Sequence, residues 1–169
     1  GINYYFPGRA TDVNGVPDKR PLSADAMFAY GDTHTFATDG VPNLQEIGSY
    51  FARTRGYNLG NRPVLIVEDG CTASPYGAGN PASPSNLTLR ARPDYDEQQR
   101  LYEAHFRQAE RDGAGWLAGL GFWQVPPGGT ARWGGTYSAA NAAKFADPAA
   151  YFSFLDTPAE ATVRTYFNK

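Results

Sequence analysis

Three short apolar runs punctuate the chain, and two amphipathic stretches lie between them. Ile2-Asn3-Tyr4-Tyr5-Phe6 reads as a buried strand closed by Pro7-Gly8. Pro63-Val64-Leu65-Ile66-Val67 has the clearest strand pattern. Its unbroken branched apolar residues imply burial on both faces, as in a parallel sheet or barrel. A third run, Trp116 to Val125, carries Gly119 and Gly121, which allow close backbone approach, and it runs into Pro126-Pro127-Gly128-Gly129.

Between the first two runs a long polar loop is expected, followed by a helix over 42–55. Leu44, Ile47 and Phe51 mark its apolar stripe, with Asp39 placed to cap it and Gly56 to stop it. Between the second and third runs, a proline-rich loop leads to a helix from Asp94 to Arg111. Asp94 and Glu97 have capping-box spacing. Tyr95, Tyr102, Phe106 and Ala109 lie on one face, and Gly113 follows the end. The tail reads as helical, with starts at Ser138, at Asp147-Pro148 and at Thr157-Pro158-Ala159-Glu160.

Buried strands alternating with amphipathic helices signal parallel βαβ units. The strand-to-helix connections are long and the helix-to-strand connections short. A (β/α)₈ barrel shows the same asymmetry, because its site is built from the loops after the strands. The expected fold is therefore α/β: the last three βα units of a TIM barrel, a single domain over 1–169. Three strands cannot close an eight-stranded cylinder, so a missing or partner segment must complete it.

Composition narrows the function. The chain has 169 residues, 41% hydrophobic and 14% aromatic, with 10 Phe, 11 Tyr and 3 Trp. Aromatic rings of this kind serve both cores and sugar-stacking clefts. A net charge of −2 without a basic stripe argues against nucleic acid. No apolar stretch is long enough to cross a bilayer, and no basic-then-apolar leader opens the chain. The first residue is Gly1 in place of Met, which suggests a processed, tagged or excised product. A single cysteine, Cys71, and two distant histidines, His34 and His105, point to neither an internal disulfide nor a metal site, and no cofactor is implied. No Gly-x-Ser-x-Gly elbow supports a serine hydrolase.

The chemistry centres on Glu68, an acid directly after the strongest strand. A carboxylate there sits on a rigid element at the mouth of the barrel. Glycosidic cleavage with retention needs such a nucleophile, and a second carboxyl about 5 Å away as acid and then base. Asp69 competes for the role, but adjacent strand residues face opposite ways, so one faces the mouth and the other the helix layer. From position alone, Glu68 reads equally as a solvated or salt-bridged strand-end acid. His34 suits either a sugar hydroxyl or an ordinary surface, and His105 a structural place in its helix.

Asp39-Gly40-Val41-Pro42-Asn43-Leu44, Tyr57-Asn58 and Arg62 through Gly70 together resemble family 1 glycoside hydrolases. There a helix and a Tyr precede a strand of the form Pro-Ile-x-Ile-Thr-Glu-Asn-Gly. The resemblance implies that Glu68 is the nucleophile. Gly1-Ile2-Asn3-Tyr4-Tyr5 resembles that family's sixth strand, which implies that Tyr5 hydrogen-bonds the nucleophile and Asn3 faces the same site. Gly119-Leu120-Gly121-Phe122-Trp123-Gln124 resembles the eighth strand and implies a sugar platform at Trp123. Two departures stand out. The Asn-Glu-Pro motif of the acid/base is absent, so that group would come from a segment outside this chain. The Asp-Asn-Phe-Glu-Trp segment is replaced by Pro126 through Trp133, which leaves Trp133 as a substitute platform without an acidic partner. More distant barrel glycosidases, such as the cellulase and mannanase groups, fit the same strand-end Glu. A carbohydrate substrate is implied throughout. The alternative from another class is a non-catalytic carbohydrate-binding or cell-surface module.

Overall fold

The computed structural model describes residues 1–12, 17–39, 41–54, 62–73, 75–79, 81, 94–122, 154–155 and 157–169. In chain order these form β1 (Ile2–Asn3), α1 (Ala24–Thr33), α2 (Phe36–Asp39), α3 (Leu44–Thr54), β2 (Val64–Asp69), a 3₁₀ turn (Gly77–Gly79), α4 (Tyr95–Asp112), β3 (Leu117–Phe122) and α5 (Pro158–Phe167). The expected starts at Ser138 and Asp147, together with Gly56, Tyr57, Asn58, Trp123 and Trp133, lie outside the described residues.

The strands form a parallel sheet in the order β1-β2-β3, with β2 in the middle. The fold is thus α/β with a parallel sheet. One face carries the core: Ile66, Met27 and Leu44 are fully buried, and Leu101, Ala104 and Trp116 pack with them. Full burial of each large apolar side chain contributes about 1.5–3 kcal/mol. On the other face Leu65 and Val67 are each 44% exposed. The unbroken apolar run of β2 had implied cover on both sides. The described residues cover only one.

The segment expected as a long polar loop holds α1 and α2. Ser23 caps α1, its side chain accepting from the Ala26 N–H at 3.1 Å. The buried positions of α1 are Met27 and Gly31, and the C-cap residue His34 is buried after them. A glycine and a histidine thus occupy places where periodicity searches for apolar residues, which hides the helix. Gly31 is required by close packing, since a Cβ there would stand 2.5 Å from the Phe6 ring.

Asp39 does not cap α3, because it belongs to α2. Asn43 does: its Oδ1 accepts from Glu46 N at 2.9 Å, and Glu46 Oε2 accepts from Asn43 N at 3.1 Å. In α4, Asp94 caps as expected, accepting from Glu97 N at 2.8 Å. The Glu97 carboxylate does not return to Asp94; it is taken by Arg9. Thr157 caps α5 without a side-chain bond, because its hydroxyl donates to Phe154 O at 2.7 Å. α5 lies on α4 through a Phe106–Tyr166 stack at 4.6 Å.

Candidate functional site

The C-terminal ends of β1 and β2 bring Tyr5 and Glu68 together. Tyr5 Oη donates to Glu68 Oε2 at 3.3 Å, and both residues are half-buried. Asn3 is the register partner of Glu68, and Tyr4 N donates to Glu68 O at 2.9 Å, so pairing continues one residue beyond β1. Tyr4 and Phe6 point into the core, while Asn3 and Tyr5 alternate to the open face. Burial, and then the Glu68 charge, push the Tyr5 phenol up to about 12. Tyr5 therefore keeps its proton and can donate it to the carboxylate throughout the neutral range.

Glu68 reaches the open face through a change of register. Strict alternation from Val64 and Ile66 would put it under the helices. From Ile66 to Asp69 is three residues on β2, against two from Leu120 to Phe122 on β3. The step from Ile2 to Asn3 on β1 likewise faces two residues of β2, Ile66 to Glu68. One extra residue in β2 exchanges the faces, as a bulge does. Asp69 takes the inward position, with 1% exposure, and Glu68 the outward one. The expectation that the two acids face opposite ways holds. Gly70, at φ 149°, then turns the chain away in a conformation that side chains disfavour.

Beneath Glu68, Asp69 Oδ2 lies 2.7 Å from Nδ1 of His105 on α4, and both side chains are buried. His105 stacks on Phe6 at 5.0 Å and meets Tyr4 edge-on. The structural place expected for His105 is therefore occupied. Burial, and next the Asp69 charge, raise the Tyr4 phenol.

The loops beside the site are tied by a group the sequence did not single out. Arg9, 1% exposed, pairs with Glu97 at 2.7 Å and 3.2 Å and donates to Arg20 O at 2.9 Å and to Asp18 O. Glu97 Oε1 also accepts from Ala78 N at 3.2 Å. One guanidinium thus binds the loop after β1 to the loop after β2 through α4. Gln98 adds a bond from its Nε2 to Cys71 O at 2.8 Å. Arg9 gives no periodic signal, and Glu97 was marked only by its capping-box spacing with Asp94.

His34 is not a surface residue. It is 7% exposed at the C-terminal end of α1, 5.6 Å from the Tyr30 ring. Asp25 pairs with Arg107 and Asp32 with Arg111, so α1 runs parallel to α4 and away from the C-terminal ends of the strands. His34 is thereby carried to the end opposite Glu68. Trp116 is core, its Nε1 donating to Asp112 O at 2.6 Å. Among the described residues, no three His, Cys, Asp or Glu side chains gather as a metal site. No helix among them is long and apolar enough to cross a membrane.

No family model and no curated protein matches the chain. Two solved structures of a GH113 β-1,4-mannanase, one of them a complex, are similar to it at 20% identity, with TM-scores of 0.48 and 0.47. Each match covers 73% of this chain and 34% of the mannanase chain, so this chain spans about a third of their length. These neighbours are GH113 enzymes, where the sequence resemblance pointed to family 1.

Proposed function

We propose that this chain forms part of a (β/α)₈-barrel glycoside hydrolase that acts with retention, and that Glu68 is its nucleophile. The observation that carries the reading is the Tyr5–Glu68 hydrogen bond, made at the C-terminal ends of two parallel strands on the uncovered face of the sheet. Two features of the fold support it. The strands take chain order without reversal, and α1 and α4 pack on the same face. A barrel winds in this way, with helices outside and the C-terminal rim open for chemistry. The apolar face of Leu65 and Val67 would then be barrel interior, covered by a further segment of the protein or a partner chain.

Glu68 attacks the anomeric carbon as the glycosidic bond breaks, and a carboxylic acid from that other segment protonates the departing oxygen. A covalent glycosyl-enzyme results. The same acid, now a base, takes a proton from water, which displaces Glu68. Tyr5 holds the carboxylate in its ionised, aimed form by donating a hydrogen bond. Asn3, on the same face, meets the sugar hydroxyls, and Trp123 and Trp133 serve as stacking platforms.

The test is Glu68→Gln in the complete barrel, assayed on a panel of aryl glycosides. Turnover is expected to fall by at least about 10⁴-fold, on the scale of losing an essential nucleophile. A fluorinated glycoside should label Glu68. Retained turnover, or a label elsewhere, ends the assignment.

A further inference from the structure

Resting on that reading, we infer that Asp69 and His105 form a positioning pair that holds β2 in its shifted register and so presents Glu68 to the open face. The argument begins with the strand. Residues 64 and 66 are buried and 65 and 67 exposed, so an unshifted strand would carry Glu68 beneath α4 and Asp69 outward. The extra residue between Ile66 and Glu68 against β1, and between Ile66 and Asp69 against β3, reverses this; against β3 it also undoes an opposite step between Val64 and Leu65. A shift of this kind is unfavourable in itself, because it interrupts the ladder. Something must reward the inward place of residue 69.

The reward is the close approach of His105, a charge-to-ring-nitrogen contact without hydrogen-bond geometry. Asp69 Oδ2 sits 2.7 Å from His105 Nδ1, with side chains 2% and 4% exposed. The imidazole is fixed from two further sides, stacked on Phe6 and edge-on to Tyr4. The free space beside the pair, bounded by Phe6, Gly70, Leu101 and Tyr102, is about 10 Å³. That is near the least a single water needs. Asp69 has therefore no solvated alternative while it points inward. A buried carboxylate that loses its partner is driven back toward water. The outward route for Asp69 is the register in which Glu68 turns in. The backbone links the two directly, since they are adjacent in one strand. Asp69 and His105 touch no substrate; they act through the strand.

The pair separates from a merely structural role in two measurements on the complete barrel. Folded protein is first isolated as the monodisperse, cooperatively melting fraction, so that misfolded protein drops out. Per folded molecule, which is the site counted, His105→Ala is expected to lower kcat by about 10- to 100-fold, the scale of a misplaced reacting group. KM should stay within about twofold. His105→Asn, which keeps a polar nitrogen near the Nδ1 position, should recover most of the loss. Unchanged kcat per site, or no recovery by Asn, overturns the inference. The second measurement is the crystal structure of His105→Ala. Glu68 should have left Tyr5, with the register between Ile66 and Asp69 altered. An unaltered Tyr5–Glu68 bond and register overturn the inference even where the parent protein cleaves no glycoside. In that case the absent turnover counts against the glycosidase reading alone.

Discussion

The guanidinium of Arg9 and the carboxylate of Glu97 lie 2.7 Å apart, both buried, although 88 residues separate them in the chain. Burial lifts the Glu97 carboxyl above the ordinary range, and Arg9 pulls it back. The pair is thus worth little against an apolar replacement but costly to break from one side. Arg9→Met should destabilise the fold by about 3–5 kcal/mol, because the buried Glu97 carboxylate loses its counter-charge. Adding Glu97→Gln, which still accepts from Ala78 N, should return part of that loss. Chemical denaturation of both single variants and the double variant measures the coupling. Strict additivity would show that the two side chains do not act as a pair.

The phenol of Tyr5 offers a spectroscopic view of the site. Its folded pKa of about 12 exceeds the ordinary value near 10. Between these values the folded state keeps a proton that the unfolded chain has lost. The stabilising contribution is therefore complete below pH 10 and disappears as pH rises toward 12. Stability over this window should fall more steeply in the parent than in Tyr5→Phe. Glu68→Gln removes the nearby charge and should shift the Tyr5 absorbance step downward, though burial keeps it above the ordinary value. A Tyr5 step unmoved by Glu68→Gln would mean that the two side chains are not neighbours.

The open face of the sheet makes a prediction about assembly. Leu65 and Val67 present apolar surface beside the edges of a three-stranded sheet. Such a face seeks cover. The chain by itself should self-associate in sedimentation, and Leu65→Asp with Val67→Asp should suppress this. In the complete barrel the same pair should be strongly destabilising, by about 2 kcal/mol or more for each buried charge. Tolerance of both substitutions there would place this face in water and exclude it as barrel interior.

Much of the architecture could be read along the chain. The branched run at 64–67 marked the central strand, because consecutive apolar residues need no partner to be recognised. Asp94 and the stripe through Tyr102 and Phe106 marked α4 for the same local reason, and the acid pair that ends β2 marked the candidate site. Other features are decided between elements. α1 was hidden because Phe6 and Gln108 shape its inner face, and that face then requires Gly31 where an apolar residue would have signalled a helix. The Arg9–Glu97 tie, the burial of His34 and the Asp69–His105 contact each join residues that local pattern cannot relate. Most telling is the direction of Glu68. Sequence put it at the end of a strand and required only that it oppose Asp69. Which of the two faces the open side was settled by a one-residue shift against β1 and β3, because facing depends on register, and register is a property of paired strands.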